Sequence, residues 1–290
     1  MSNYLKLIRV KHWLKNILVF LPAFFSTGIT NKNNLLLCFI AFLIFSFASS
    51  TVYVLNDIND VEKDRNHPIK KNRPLASGKV SIRGAIITII ILVLIDALLM
   101  NWFYFKTNIH ATYIIPIVYV LLNILYSKYL KNIPIIDVVI LVSGFVLRVM
   151  YGGAVINVEV SKYLYLMIIF GAFFLGFGKR RNEILKNGDK SRRVLHLYNK
   201  EFLDKNMYVT FALTIVAYTL WCVDPTTIDR IGHDYLFWTI PLIMVILQLY
   251  SLNIEGNSHG DPIEVILSDK KLLITSLSYV IIMIILLYII

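Results

Sequence analysis

Residues 34–73 read NLLLCFIAFLIFSFASSTVYVLNDINDVEKDRNHPIKKNR. The first part of the stretch is apolar or small, and the last part is crowded with carboxylates and cations. A helix needs about 20 mostly apolar residues to cross a bilayer. The stretch therefore reads as a transmembrane helix that ends directly in a charged loop.

Outward from it, the same alternation fills the chain. Of 290 residues 57% are hydrophobic and 16% charged, and the mean hydropathy is +0.67. Soluble domains run at about 45–50% apolar and roughly 25% charged. The apolar residues come in nine blocks, roughly 13–28, 34–56, 84–104, 110–127, 133–152, 162–178, 207–222, 235–252 and 271–290. Only helices and closed barrels satisfy the backbone in lipid, so the Ile, Val and Phe in these blocks are no bar to helix. The expectation is an all-α integral membrane protein. Its nine transmembrane helices form a bundle, and residues 1–290 make one transmembrane domain.

Net charge is +11 with a pI near 9.5. In a soluble protein that balance would point first to nucleic acid. Here the basic residues follow the loops. Of the 29 Lys and Arg, 24 fall in segments 1–15, 57–83, 128–132, 179–206 and 253–271, while Lys32, Lys106, Lys162 and Arg230 take the alternate loops. The positive-inside rule then puts the N-terminus in the cytoplasm and, with an odd number of spans, the C-terminus outside. No nucleic-acid partner is expected. Cys38 and Cys222 sit inside apolar blocks and read as structural thiols. The first apolar stretch lacks a clear small-x-small cleavage site, so no cleaved signal is expected. The six histidines are scattered and show no metal-binding spacing.

Topology explains the lysines after the second block but not its acids. In Asn56-Asp57-x-x-Asp60-x-x-x-Asp64, offsets of three and four put the aspartates on one helix face. That face is roughly 10 Å long at about 1.5 Å per residue. The charges repel one another, and they sit at a helix C-terminus, where the macrodipole disfavours anions. A divalent cation removes both objections. Mg²⁺ prefers one or two carboxylates together with phosphate oxygens and water. Arg65, Lys70, Lys71 and Arg73 follow at once and are of the type that binds phosphate. The candidate site is therefore a Mg²⁺–diphosphate centre on the cytosolic face, with Asp57, Asp60 and Asp64 as metal ligands and catalytic groups. A solvated charged loop is the bland alternative.

Other cytoplasmic edges carry polar groups as well. Lys15 and Asn16 open the first block beside Trp13, where a snorkelling lysine and an aromatic anchor are the ordinary reading. Tyr126-Ser127-Lys128-Tyr129-Leu130-Lys131 closes the fourth block, again compatible with an interface belt. Asp137 and Arg148 lie at or within the fifth; charges at that depth face an interior. Eleven residues separate them, about 16 Å along a helix, too far for direct pairing. Asp96 in the third block suggests an interhelical hydrogen bond. After the sixth block, Gly176-Phe177-Gly178-Lys179-Arg180-Arg181-Asn182-Glu183 puts three cations where a helix dipole favours them. Its glycines allow a close helix neighbour. The last cytoplasmic loop, with Glu255, Asp261, Glu264 and Asp269, either covers the site or is solvated.

The Asn56-Asp57-x-x-Asp60-x-x-x-Asp64 pattern after the second of nine spans resembles the first aspartate-rich motif of the UbiA superfamily of intramembrane prenyltransferases. Tyr126-Ser-x-x-Leu130-Lys131 resembles that superfamily's motif after the fourth span. Within it, VKHWLKNILVF, VYVLNDINDVEKDRNHPIKKNRPLASG, SGFVLRVMYGGAV, FGKRRNE and DPIEVILSD resemble, in the same order, the decaprenyl-phosphate phosphoribosyltransferases. The resemblance implies a bundle around a central lipid cavity in a bacterial plasma membrane. It implies a Mg²⁺-dependent transfer of phosphoribose from 5-phosphoribosyl-1-diphosphate (PRPP) to a polyprenyl phosphate. Lys15, Asn56, Arg65, Arg73, Tyr126, Lys131, Arg148, Lys179, Arg180 and Glu183 are the substrate-binding candidates. The superfamily's second acidic motif, after the sixth span, is here Lys179-Arg180-Arg181-Asn182-Glu183, with one carboxylate among three cations. That departure argues against ordinary ionisation of a prenyl diphosphate and suits a site for two anionic substrates.

A prenyltransferase moving an isoprenoid from a diphosphate to an aromatic acceptor is the nearest alternative, since it shares the first motif. A transporter would place its charges near the midplane on broken helices, and here only Arg148 is deep. A lipid-binding homologue without turnover would tolerate replacement of Asp57 or Asp60. The fold admits a monomer or a symmetric oligomer.

Overall fold

The structure, a computed structural model, describes residues 2–67, 70–187, 193–255 and 262–290. Asp261 and His259 lie outside the described residues. The fold among the described residues is all-helical, and eight helices are long and apolar enough to cross a membrane. They are α1 (Lys32–Asn59), α2 (Ile82–Thr107), α3 (Ala111–Lys128), α4 (Ile136–Val155), α5 (Lys162–Asn187), α6 (Lys200–Val223), α7 (Ile240–Glu255) and α8 (Lys270–Tyr288). Each matches one of the last eight apolar blocks. Polar residues set several starts: Asn31, Ser81, Asn199 and Asp269 accept hydrogen bonds from the free amides of the first turn, the usual N-cap role. Helices α5 and α6 run well past their apolar blocks into charged sequence, because hydropathy marks the hydrocarbon layer and not the hydrogen-bond ladder.

The first block folds differently. Val10–Phe20 forms an eleven-residue 3-10 helix, followed by a short α-helix at Leu21–Phe25. Its entry is set by Arg9 in the left-handed region (φ 53°).

The chain divides into two compact units. One comprises residues 1–128 and 147–159, the other 129–146 and 160–290. The boundary falls within α4.

In the first unit α1 is the central element. Two-thirds of its membrane window is buried, against half or less for the other seven helices. It packs on α2, α3 and the 3-10 segment. Ser46, Ser49 and Ser50 lie three and four apart on one face of α1, small enough to let the N-terminal segment approach. Ser50 donates to the Ile8 carbonyl (2.8 Å) and accepts from Trp13 Nε1 (2.9 Å). Gly152 makes the closest approach: a β-carbon there would lie 2.0 Å from the Val19 carbonyl oxygen. No residue with a side chain fits at Gly152 without moving the 3-10 segment.

In the second unit α5 and α6 form the main pair, with α7 and α8 beside them. Phe174, Phe177, Leu203, Met207, Tyr250 and Ile254 fill the core. The glycines after the sixth block do what their size suggests. A β-carbon at Gly176 would meet Val138 at 2.7 Å, and one at Gly178 would meet Ile254 at 2.9 Å.

Candidate functional site

The acid cluster stands at the C-terminal end of α1. The helix ends at Asn59, Asp60 caps it, and Val61–Arg65 continues as a short helix. Asp60 and Asp64 amides still bond back to the Asn56 and Asp60 carbonyls. The helical spacing therefore largely survives the break, and Asp57 and Asp64 come to one place. Both carboxylates are buried, with 3% of each residue exposed, whereas Asp60 is half-buried.

Two arginines meet them. Arg73 Nη1 donates to Asp57 Oδ1 at 3.1 Å and to Asp64 Oδ2 at 2.6 Å. Arg9 Nη2 donates to the same Asp57 oxygen, and its guanidinium lies 4.8 Å over the Tyr53 ring. Neither arginine is bonded to Asp60. A small core under the cluster holds these segments: Leu7, Val54, Val61, Leu75, Val80 and Ala85 pack together. It joins the chain before Arg9, the end of α1 and the loop after Arg73. Buried carboxylates need such compensation. The repulsion that pointed to a cation in the sequence is here offset by guanidinium.

Among the described residues, no three carboxylate, imidazole or thiolate groups gather to hold a metal by themselves. Two carboxylate oxygens do converge, on the position of Arg73 Nη1. A cation thus already has a seat between Asp57 and Asp64. Two carboxylates, completed by phosphate oxygens and water, are the donor set Mg²⁺ favours, so the residue types present fit that ion. Arg65 is elsewhere: it is exposed and pairs with exposed Glu62 at 2.9 Å.

A second polar group in the first unit surrounds Arg148, which is 5% exposed. Its Nε donates to Asn16 Oδ1 (2.7 Å) and its Nη2 to the Tyr119 hydroxyl (3.3 Å). The guanidinium lies 5.0 Å from both the Phe45 and Tyr119 rings. Asn16 passes the network on to Ser46 and Ser49. Lys15, Asn56 and Tyr126 are half-buried in the same unit. Asp96 is buried on α2 with Oδ1 unpartnered among the described residues, so that oxygen does not make the expected interhelical hydrogen bond.

The second unit has its own network. Asp137 is fully buried; its Oδ2 accepts from Arg180 Nε (2.5 Å) and its Oδ1 from the Tyr198 hydroxyl (2.7 Å). Arg180 Nη1 donates to Glu183 at 2.8 Å. Tyr198 also accepts the Ile135 amide at 2.5 Å. Ile135 has φ 68°, a strained conformation for a β-branched residue, and this bond holds it. Burial, and then the bond to Asp137, push the Tyr198 hydroxyl above the ordinary tyrosine range. Arg181 pairs with Asp204. Lys131, on a 3-10 turn, and Lys179 are half-buried. Asp269 caps α8, and the Leu272 amide and then Asn253 hold its carboxyl below the usual range.

The sequence reading missed Arg9, Tyr198 and Asp204. Arg9 had a signal, a cation just before the first block, but topology had already accounted for it. Tyr198 and Asp204 had none.

A model of the UbiA prenyltransferase family matches residues 17–288. A decaprenyl-phosphate phosphoribosyltransferase from Corynebacterium glutamicum is 33% identical over 286 residues, covering 96% of this chain and 85% of that protein. The enzyme of that name from Mycolicibacterium smegmatis is 29% identical over 304 residues, covering 96% and 90%. Among solved structures, a UbiA homolog from Archaeoglobus fulgidus bound to GPP and Mg²⁺ superposes with a TM-score of 0.71. It is 20% identical and covers 99% of this chain and all of that one.

Proposed function

The chain belongs to the UbiA prenyltransferase family, and from that premise we propose that it transfers 5-phosphoribose from PRPP to a polyprenyl phosphate, releasing diphosphate. The relatives matched over 96% of the chain carry that kind of name. The observation that carries the reading is the pair Asp57 and Asp64 converging on one cation position, with Arg9 and Arg73 beside it. The corresponding edge after the sixth span offers one carboxylate, Glu183, and that is bonded to Arg180.

Asp57 and Asp64 would hold Mg²⁺ through the oxygens that now meet Arg73, and Asp60 is the third carboxylate of the same run. When bound, the ion supplies positive charge against the departing diphosphate. Arg73 and Arg9 are half-buried, and each has further N–H donors for phosphate oxygens. The bond from ribose carbon 1 to the diphosphate oxygen breaks, and an oxygen of the lipid phosphate bonds to that carbon through an oxocarbenium-like state. The lipid phosphate is already ionised near neutral pH, so no side chain has to take a proton.

The 3-10 segment also bears on topology. Eleven residues at about 2.0 Å and five at about 1.5 Å reach roughly 30 Å, the thickness of the hydrocarbon core. We read Val10–Phe25 as a ninth crossing; the N-terminus and the acid cluster then share one side, and the positive-inside rule makes that side the cytosolic one.

Purified protein given PRPP, Mg²⁺ and a polyprenyl phosphate yields a phosphoribosyl lipid, and chelating the metal stops it. Given a prenyl diphosphate and an aromatic acid, it yields nothing. The opposite pattern replaces this reading with aromatic prenyl transfer.

A further inference from the structure

Beside the acid cluster a groove of about 240 Å³ opens where the ends of α1 and α3 face each other. Val52, Leu55 and Ile124 line its apolar part, and Asn59, Ser127 and Lys128 its polar part, next to Asn56. On α1 the positions 52, 55, 56 and 59 share one helix face, and on α3 the positions 124, 127 and 128 share another. Lys128 is the one charge among the described residues that line it. Its side chain is exposed, as is that of Asn59.

We infer that this groove seats the phosphate and first isoprene unit of the polyprenyl phosphate acceptor, with Lys128, Ser127 and Asn59 as its head-group ligands. The inference rests on the phosphoribosyl-transfer reading and assigns the lipid to a place within it. The chemistry of the lining selects the occupant. One cation with amide and hydroxyl donors suits a phosphate monoester. PRPP carries several more charges and has no use for an apolar floor. An amine head group is repelled by Lys128. The apolar part continues outward: Ile117, Leu121 and Leu125 are exposed on α3 and lie on the helix face that ends near Lys128. A long tail leaves the groove along that stripe into the bilayer.

Position relative to the metal pair supports the assignment. Asn56 faces the groove, and Asp57 is the next residue, about 100° further round the same turn. Acceptor phosphate and departing diphosphate therefore lie against adjoining faces of one helix end, as the transfer requires.

Decaprenyl phosphate binding to the full chain in detergent, measured without PRPP, tests this. Lys128→Ala weakens binding about tenfold or more, the effect of losing one charge-assisted contact. Leu55→Trp, which fills the apolar part, does the same. Both variants keep wild-type affinity for PRPP with Mg²⁺, which shows that they are folded. Decaprenol competes weakly, and inorganic phosphate at millimolar concentration does not compete. If wild type transfers phosphoribose while both variants retain wild-type lipid affinity, the groove is not the lipid seat. Inorganic phosphate competing as well as the lipid overturns the assignment too. If wild type neither binds the lipid nor transfers phosphoribose, the functional reading fails and the groove assignment with it.

Discussion

Asp57 and Asp137 are both buried aspartates facing guanidinium groups, yet their surroundings differ in kind. The side chains of Arg9 and Arg73 are 22% and 30% exposed, and Asp57 shares a single Arg73 nitrogen with Asp64. The Arg180 side chain is 1% exposed, and both Asp137 oxygens have their own donors, one from Arg180 and one from Tyr198. On the proposed reading the first arrangement exchanges one cation for another, because solvent reaches the arginines and the acids share a donor. The second is closed, and opening it strands a buried charge. The same residue types thus make a replaceable counter-ion at the end of α1 and a fixed brace at the start of α4.

Replacing each aspartate separates the two roles. Asp57→Asn removes one half of the proposed metal seat and lowers turnover by about 10²–10³-fold, the scale of losing electrostatic stabilisation of a leaving group; single-turnover assays on folded protein measure it. Asp137→Asn acts on stability instead, since breaking one partner out of a buried pair costs about 3–5 kcal/mol. Its unfolding transition in detergent falls well below that of wild type, while turnover per folded molecule changes little. If Asp137→Asn is as stable as wild type, the brace is not one.

Arg73→Ala sharpens the comparison. Loss of this proposed phosphate ligand raises KM for PRPP about tenfold. Loss of the resident cation between Asp57 and Asp64 lowers the Mg²⁺ concentration needed for half-maximal rate. A purely structural arginine would not move these two quantities in opposite directions. The smallest effect belongs to Arg65→Ala: its pair with Glu62 is exposed, so stability shifts by under about 0.5 kcal/mol and the rate by less than twofold.

The eight long helices were legible because apolar blocks of that length have one solution in lipid. Asp57 and Asp64 were legible because helical spacing at three and seven residues survives a one-residue break at Asp60. The 3-10 geometry of Val10–Phe20 was not, since hydropathy is blind to helix type, and the glycine it packs against, Gly152, is far away in sequence. Lys179, Arg180 and Arg181 look alike as a string. Helix phase gives them different fates: Arg180 turns to Asp137, Arg181 to Asp204. Their partners come from distant segments, and Tyr198 follows a charged stretch with no periodic signal. Arg9 was hidden for the opposite reason, being one of many cations that topology alone accounts for.

Mn²⁺ in place of Mg²⁺, followed by electron paramagnetic resonance with PRPP present, tests most directly that Asp57 and Asp64 form the metal seat. Wild type binds the ion, and Asp57→Asn and Asp64→Asn each abolish the bound signal, while Asp137→Asn retains it. A bound signal that survives both of the first two substitutions contradicts the account.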